Sequence, residues 1–237
     1  MKLWIRALVV ALLLAPTMAA AASWWNGDWK FRKEITFDLS PEAGDVAGSS
    51  ADVPVLVRLS IGNFSYFGDT KPDGADFRVL AGDDKTPLKF HFERYDAQGQ
   101  MAYLWVQVPK LTGGAKSDRI YMYYGNPDAI AAGDAATTYD ADQAMVLHFG
   151  GEGAPQDATA YKNNAQVATA EPVPASFSGA GVKFSGTQNI RVPSSSSLQL
   201  TEEKGYTASV WVKFDAAQRD AVVLALADGT KDMTLGV

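Results

Sequence analysis

The sequence predicts an all-β protein, an antiparallel β-sandwich followed by part of a second β domain. Three observations predict it. Apolar residues recur at every second position in a succession of short segments, clusters of Gly, Pro, Asn and Asp separate those segments, and no segment past the N-terminal leader shows helical periodicity.

Taken in order, the chain opens with MKLWIRALVVALLLAPTMAAAAS. Lys2 and Arg6 precede an apolar run from Ala7 to Met18, and small residues follow it, as in a secretory signal. The run falls short of the roughly 20 residues a bilayer span needs, and Pro16 interrupts it. Cleavage near Ala22 would leave Ser23 first and take the formal net charge from -6 to -8. Residues 1–22 are therefore read as a signal peptide, and export to the periplasm or cell surface is expected.

Residues 23–130 form the first β domain. Ile35, Phe37 and Leu39 alternate with polar neighbours, as do Val53, Val55, Val57 and Leu59. Leu88, Phe90 and Phe92 face away from Lys89, His91 and Glu93. MAYLWVQV at 101–108 and Ile120 to Tyr124 are apolar at nearly every position, which predicts central strands covered on both faces. Ser40-Pro41, Pro72-Asp73-Gly74, Gly82-Asp83-Asp84 and Thr112-Gly113-Gly114 supply the turns between strands. In YYGNP at 123–127, Gly125 and Pro127 must end the last strand, because Pro lacks the N–H a ladder needs. The weakly patterned residues 131–142 suit a linker or short helical turn.

Residues 143–237 resume the alternation. AMVLHF, GVKF and NIRV read as strands, and Tyr206, Ala208, Val210, Val212 and Phe214 mark the clearest strand of this half. Val222 to Ala227 and MTLGV follow, and an element still in progress at Val237 suggests a domain that continues. Trp105 and Trp211, inside strands, are expected in the core.

Composition narrows the function. A pI near 4.9 without a basic cluster excludes a nucleic-acid groove, which needs concentrated Lys and Arg. With no cysteine, the fold is held by its cores alone. Glycoside hydrolysis requires a carboxylate pair across the sugar, yet no E-x-D-x-E pattern occurs, and Asp73, Asp76, Asp83, Asp84, Asp134, Asp140, Asp142, Glu202 and Glu203 fall at turns. A nucleophilic triad would need His91 or His148, and no G-x-S-x-G elbow accompanies them. Two histidines far apart in sequence, without cysteines, fall short of a zinc site, so no metal is assigned. Oxygen donors at Asp157, Asn163 and Asn164 leave calcium open as a cofactor, against the plainer reading of turn residues. A non-catalytic protein is expected.

Aromatic stacking on sugar is the remaining chemistry. Trp24, Trp25 and Trp29 near the mature N-terminus admit two readings. They are a platform for a glycan, or they pin the first strand onto the sandwich with each indole N–H finding a partner. The weight of buried aromatics in core energetics favours the second.

Trp25-Asn26-Gly27-Asp28-Trp29 with Phe31-Arg32-Lys33, then DVPVLVRL, DGADFRVL at 73–80, AYLWVQVP at 102–109 and IYMYYGNP at 120–127 resemble, in this order, the family called domain of unknown function 2341. That resemblance covers residues 24–130. MVLHFGG, DATAYKNNA at 157–165, GVKFSGTQNIRVPSSSSLQL at 181–200 and YTASVWVKF at 206–214 resemble the first part of a laminin-G-like or concanavalin-like jelly roll. The succession is similar to the periplasmic front of MotA/TolQ/ExbB proton-channel family proteins. It implies a recognition module for an envelope glycan or envelope protein, serving a membrane partner or a C-terminal membrane channel domain beyond Val237 that would tether it to the inner membrane. A free-standing secreted carbohydrate-binding or adhesion protein is the alternative, and a glycan-active enzyme the third reading.

Overall fold

The computed structural model describes residues 24–176, 179–199, 205–217, 219, 221–227 and 232–236. The signal-peptide segment and Glu202 and Glu203 lie outside the described residues.

The first half is an antiparallel two-sheet sandwich. Strands β1 (Phe31–Phe37), β2 (Ser50–Ser60), β3 (Arg78–Leu80), β4 (Phe90–Asp96), β5 (Met101–Leu111) and β6 (Asp118–Tyr124) form two sheets, β1-β6-β3 and β2-β5-β4. Both segments expected at the centre, 101–108 and 120–124, are the middle strands of their sheets. Each places alternate residues in one shared core: Ala102, Leu104, Val106 and Val108 from β5 meet Ile120, Met122 and Tyr124 from β6. Phe64, Phe67, Phe77 and Phe90 fill the space between, and Phe64 packs edge-on to Tyr124 with ring centroids 5.1 Å apart. This period-two pattern is what a strand with one buried face requires.

In β4 the pairing slips between Phe92 and Arg94, so Glu93 is the extra residue of a β-bulge. A bulge twists the strand and re-aims side chains. Before it Phe90 and Phe92 point into the core while His91 occupies the outer face opposite Trp105; after it Tyr95 packs against the core instead.

The segment 131–142 lies against the outer face of the β2-β5-β4 sheet. Asp134 N–H donates to the Phe90 carbonyl at 2.8 Å, and Asp134 caps α1 (Ala135–Thr138) by accepting from Ala136 N–H.

Beyond it the described residues form three two-stranded antiparallel ribbons. β7 (Val167–Ala168) pairs with β10 (Ile190–Arg191), β8 (Glu171–Val173) with β9 (Gly181–Lys183), and β11 (Val222–Ala227) with β12 (Asp232–Gly236). The strands expected at GVKF, NIRV, 222–227 and MTLGV are present. Two others are not. AMVLHF makes only an isolated bridge between Leu147 and Asp157, and Phe149 turns into the left-handed region at φ 59°. Residues 206–214, the strongest alternation in this half, join no ladder, and Trp211 is 79% exposed instead of buried. Alternation marks which residues could share a face, but a strand also needs a neighbour to bond and a second sheet to cover it. None of the three ribbons supplies either to 206–214. Among the described residues no helix is long and apolar enough to cross a membrane.

Candidate functional site

The outer face of the β1-β6-β3 sheet carries an aromatic layer built from the chain just before β1. Trp29 is buried, and its indole N–H donates to the Asp76 carbonyl at 2.5 Å. Trp24 donates from its indole N–H to the Trp29 carbonyl at 2.7 Å, which folds the segment back on itself. Trp25 packs between Trp29 and Tyr123, at centroid distances of 5.1 and 5.7 Å, and its backbone N–H donates to the Tyr123 hydroxyl. Guanidinium groups interleave the rings: Arg78 lies 4.9 Å from the Trp29 ring centroid, and Arg32 lies 4.8 Å from Tyr121 and 5.4 Å from Trp24.

YYGNP anchors this layer from β6. Tyr123, fully buried, donates its hydroxyl to Asp84 at 2.8 Å, and Asp84 also pairs with Arg32. The Gly125 N–H donates to Asp76 at 2.7 Å, and Asp76 accepts from Lys71 N–H as well. Asp76 and Asp84, expected among the turn acids, therefore tie β6 to the loops around β3. Asp73, Asp83, Asp134 and Asp140 do accept from backbone N–H groups within their own turns. The three indoles thus divide. Trp29 and Trp25 hold the layer together, and Trp24, 42% exposed, forms its outer rim.

From that rim a groove of about 520 Å³ runs along β1, lined by Trp24, Lys30, Phe31, Arg32, Lys33, Glu34, Tyr66 and Tyr124. Among the described residues β1 pairs only with β6, and its other edge borders the groove. Because successive residues of a strand point to opposite sides, Arg32 and Glu34 flank the edge on Trp24's side, and Phe31 and Lys33 flank it on the other. Phe31 is 39% and Tyr66 46% exposed, an exposure that burial in a core would remove. Phe31 stacks on Tyr124 at 5.4 Å with planes 26° apart, and Tyr66 leans on Tyr124 at 6.1 Å and 30°. Burial pushes the Tyr124 phenol up to about 12, with the neighbouring Tyr66 and Asp69 adding to the effect, so it stays neutral. Phe31, Tyr66 and the two lysines were not singled out by sequence reasoning. Tyr66 sits in a loop without pattern, and Phe31 has the parity of a core residue; its rim position follows from the edge location of β1.

On the opposite side of the sandwich the structure brings together His91 and His148, which are 57 residues apart. Their Nε2 atoms are 3.2 Å apart, and the Tyr139 hydroxyl lies 3.1 Å from His148 Nε2. Glu93 Oε2 accepts from the Trp105 indole N–H at 2.8 Å and lies 3.2 Å from His148 Nδ1. Trp105 is thus partly buried on the outer face under residues 139–148 and does not enter the shared core. Burial, then the facing His148, pushes His91 down to about 4 against the opposing pull of Glu93 and Asp134. Burial alone would raise Glu93, but hydrogen bonds from His148 and Trp105 hold it below the usual carboxylate value. Burial, with the charges of Glu93 and Asp157, pushes the Tyr139 phenol well up, so it stays neutral.

A histidine beside a hydroxyl is a catalytic pairing only where a substrate can reach it. His91 and Tyr139 are buried, and the side chains of Glu93 and His148 are 4% and 17% exposed, so the four pack as a polar joint between the sandwich and the segment that follows it. Within the described residues no group of three or more His, Cys, Asp or Glu is arranged to hold a metal ion. Asp157, considered above for calcium, spends both oxygens on protein donors: Val146 N–H, Thr159 N–H, the Thr159 hydroxyl and Asn163 N–H. Asn163 donates its amide to Ala144 and Ser197, and Asn164 accepts from Asp157 N–H, so the three residues close their own loop.

No curated protein and no solved structure matches the chain. Over residues 73–151, from the turn before β3 through β6 to the end of the His91–His148 joint, the chain matches the family model described as a domain of unknown function, DUF2341.

Proposed function

We propose that this protein is a non-catalytic extracytoplasmic recognition module that binds an envelope glycan in the groove along β1. The observation that carries the reading is the set of half-exposed rings, Trp24, Phe31 and Tyr66, arranged around one strand edge with polar neighbours. Sugar faces stack on such rings, while edge backbone groups and charged side chains meet the hydroxyls. The leader-like N-terminus supports export. The burial of His91, with His148 half-buried against it, supports recognition over turnover. On the resemblance of its ordered motifs, the module serves a membrane partner, a proton channel of the ExbB and TolQ class involved in biopolymer transport, with a laminin-G-like or concanavalin-like second domain. A free-standing secreted carbohydrate-binding or adhesion protein fits the same groove.

A glycan array probed with the purified chain tests the reading. Saturable binding to at least one glycan class is expected, and Trp24→Ala should weaken it by roughly tenfold or more, since one stacked ring contributes about 1–2 kcal/mol. Trp24 lies at the rim, so the variant should keep the parent's unfolding midpoint within a few degrees. An array with no binding, or binding untouched by Trp24→Ala, would reject the groove as the site.

A further inference from the structure

We propose that the groove selects an acidic saccharide, one whose sugar rings carry carboxylates, over a neutral one. The inference rests on the glycan reading above and specifies the ligand class for that site.

Charge is the first support. Lys30, Arg32 and Lys33 line the groove with a single acid, Glu34, in a chain whose formal net charge is -6. Two of these four are already engaged: Arg32 pairs with Asp84, and Glu34 lies 3.4 Å from Arg119. Among the described residues Lys30 and Lys33 have no acidic partner. Two ammonium groups beside exposed rings form a cationic spot, and a carboxylate placed there gains charge-assisted hydrogen bonds.

Geometry is the second. Lys33 lies within β1 and flanks its edge on the side of Phe31, while Lys30 stands just before the strand begins. A ligand lying along that edge therefore meets a cation and an aromatic ring on either side, Arg32 and Trp24 on one and Lys33, Phe31 and Tyr66 on the other, with Lys30 at the strand's start. Alternate backbone N–H and C=O groups of an edge strand point outward between them, spaced for hydroxyls. A linear chain of acidic sugars offers faces, carboxylates and hydroxyls in that combination. An extended peptide adding as a further strand is the other occupant an open edge invites. Lys33 on the edge strand and Lys30 at its start oppose such addition, which favours the saccharide.

The test compares binding of the purified chain to an oligogalacturonate, to the neutral galactose oligomer of equal length, and to polyglutamate as a charge-matched peptide. The oligogalacturonate should bind at least about tenfold more tightly than the neutral oligomer, and added salt should shrink that margin. Lys30→Gln with Lys33→Gln should abolish the margin by bringing the oligogalacturonate down to the affinity of the neutral oligomer, and Trp24→Ala should weaken both sugars. Equal affinity for acidic and neutral oligomers, or a margin that survives the double lysine substitution, overturns the acidic selectivity and leaves glycan recognition standing. Polyglutamate binding as tightly as the oligogalacturonate overturns the saccharide in favour of charge alone or strand addition. Failure to bind any saccharide overturns both the selectivity and the function it rests on.

Discussion

His91 is the residue on which acid should act first. Its folded value near 4 lies below its ordinary 6.5, so the folded state binds fewer protons than the unfolded chain between those two values. Stability is therefore full above about pH 6.5 and falls as the pH drops toward 4, by up to about 3 kcal/mol over that window. Glu93, held below its ordinary value, acts in the same direction at the lower end, where its stabilisation is lost as it protonates. Urea midpoints measured between pH 7 and pH 4 should fall steeply for the parent. They should fall less for His91→Gln, which keeps a donor toward His148 without titrating, and parallel slopes for the two proteins would show that His91 does not govern the window. Neither histidine advertises this in the sequence: each reads as an ordinary strand residue, and only the packing of residues 139–148 over β4 and β5 brings the rings together. The tryptophans near the N-terminus were more legible. Indoles clustered ahead of a strand announce a platform or an anchor; Trp29 is buried as an anchor, and Trp24 stands half-exposed at the rim. Trp211 misleads for the opposite reason, since its place in an alternating segment says nothing about whether a covering sheet exists.

At the scale of elements, β1 and the end of β6 form the unit that shapes the groove. Gly125 adopts φ +87°, and a Cβ there would lie 2.5 Å from Phe31 Cδ2. Gly125→Ala should destabilise the fold by about 1–3 kcal/mol, through backbone strain and displacement of the Phe31 ring. A thermal melt should register this as a midpoint several degrees lower, and a glycan titration should show weakened binding. An unchanged midpoint would mean the turn relaxes without moving Phe31. That YYGNP closes a strand was readable from Gly and Pro alone. That its Tyr123 hydroxyl and Gly125 amide clasp Asp84 and Asp76 was not, because those acids come from loops some 40 to 50 residues away. The β4 bulge at Glu93 was equally hidden, as an inserted residue leaves no mark in a pattern this short.

For the molecule as a whole, strand positions in the first half followed from period-two alternation, and the middle strands from their near-continuous apolar runs. The pairing order did not follow, because which strands neighbour one another depends on contacts between residues distant in sequence. That order is what leaves β1 at an edge and opens the groove, so the site could be glimpsed through Trp24 but not drawn. In the second half, short ribbons replace the sheets the alternation suggested. The charge of the whole chain, read alone, pointed away from a nucleic-acid partner, and only the local placement of Lys30 and Lys33 suggests an anionic ligand of another kind.

The central claim is that ligand meets this protein at the Trp24 rim, and the most direct measurement follows the tryptophan indole N–H resonances of the ¹⁵N-labelled chain during titration with an oligogalacturonate. The Trp24 resonance should shift progressively and saturate, while those of Trp105 in the histidine joint and Trp211 in the second half stay in place. A silent Trp24, with shifts confined to Trp105 or Trp211, would contradict the account.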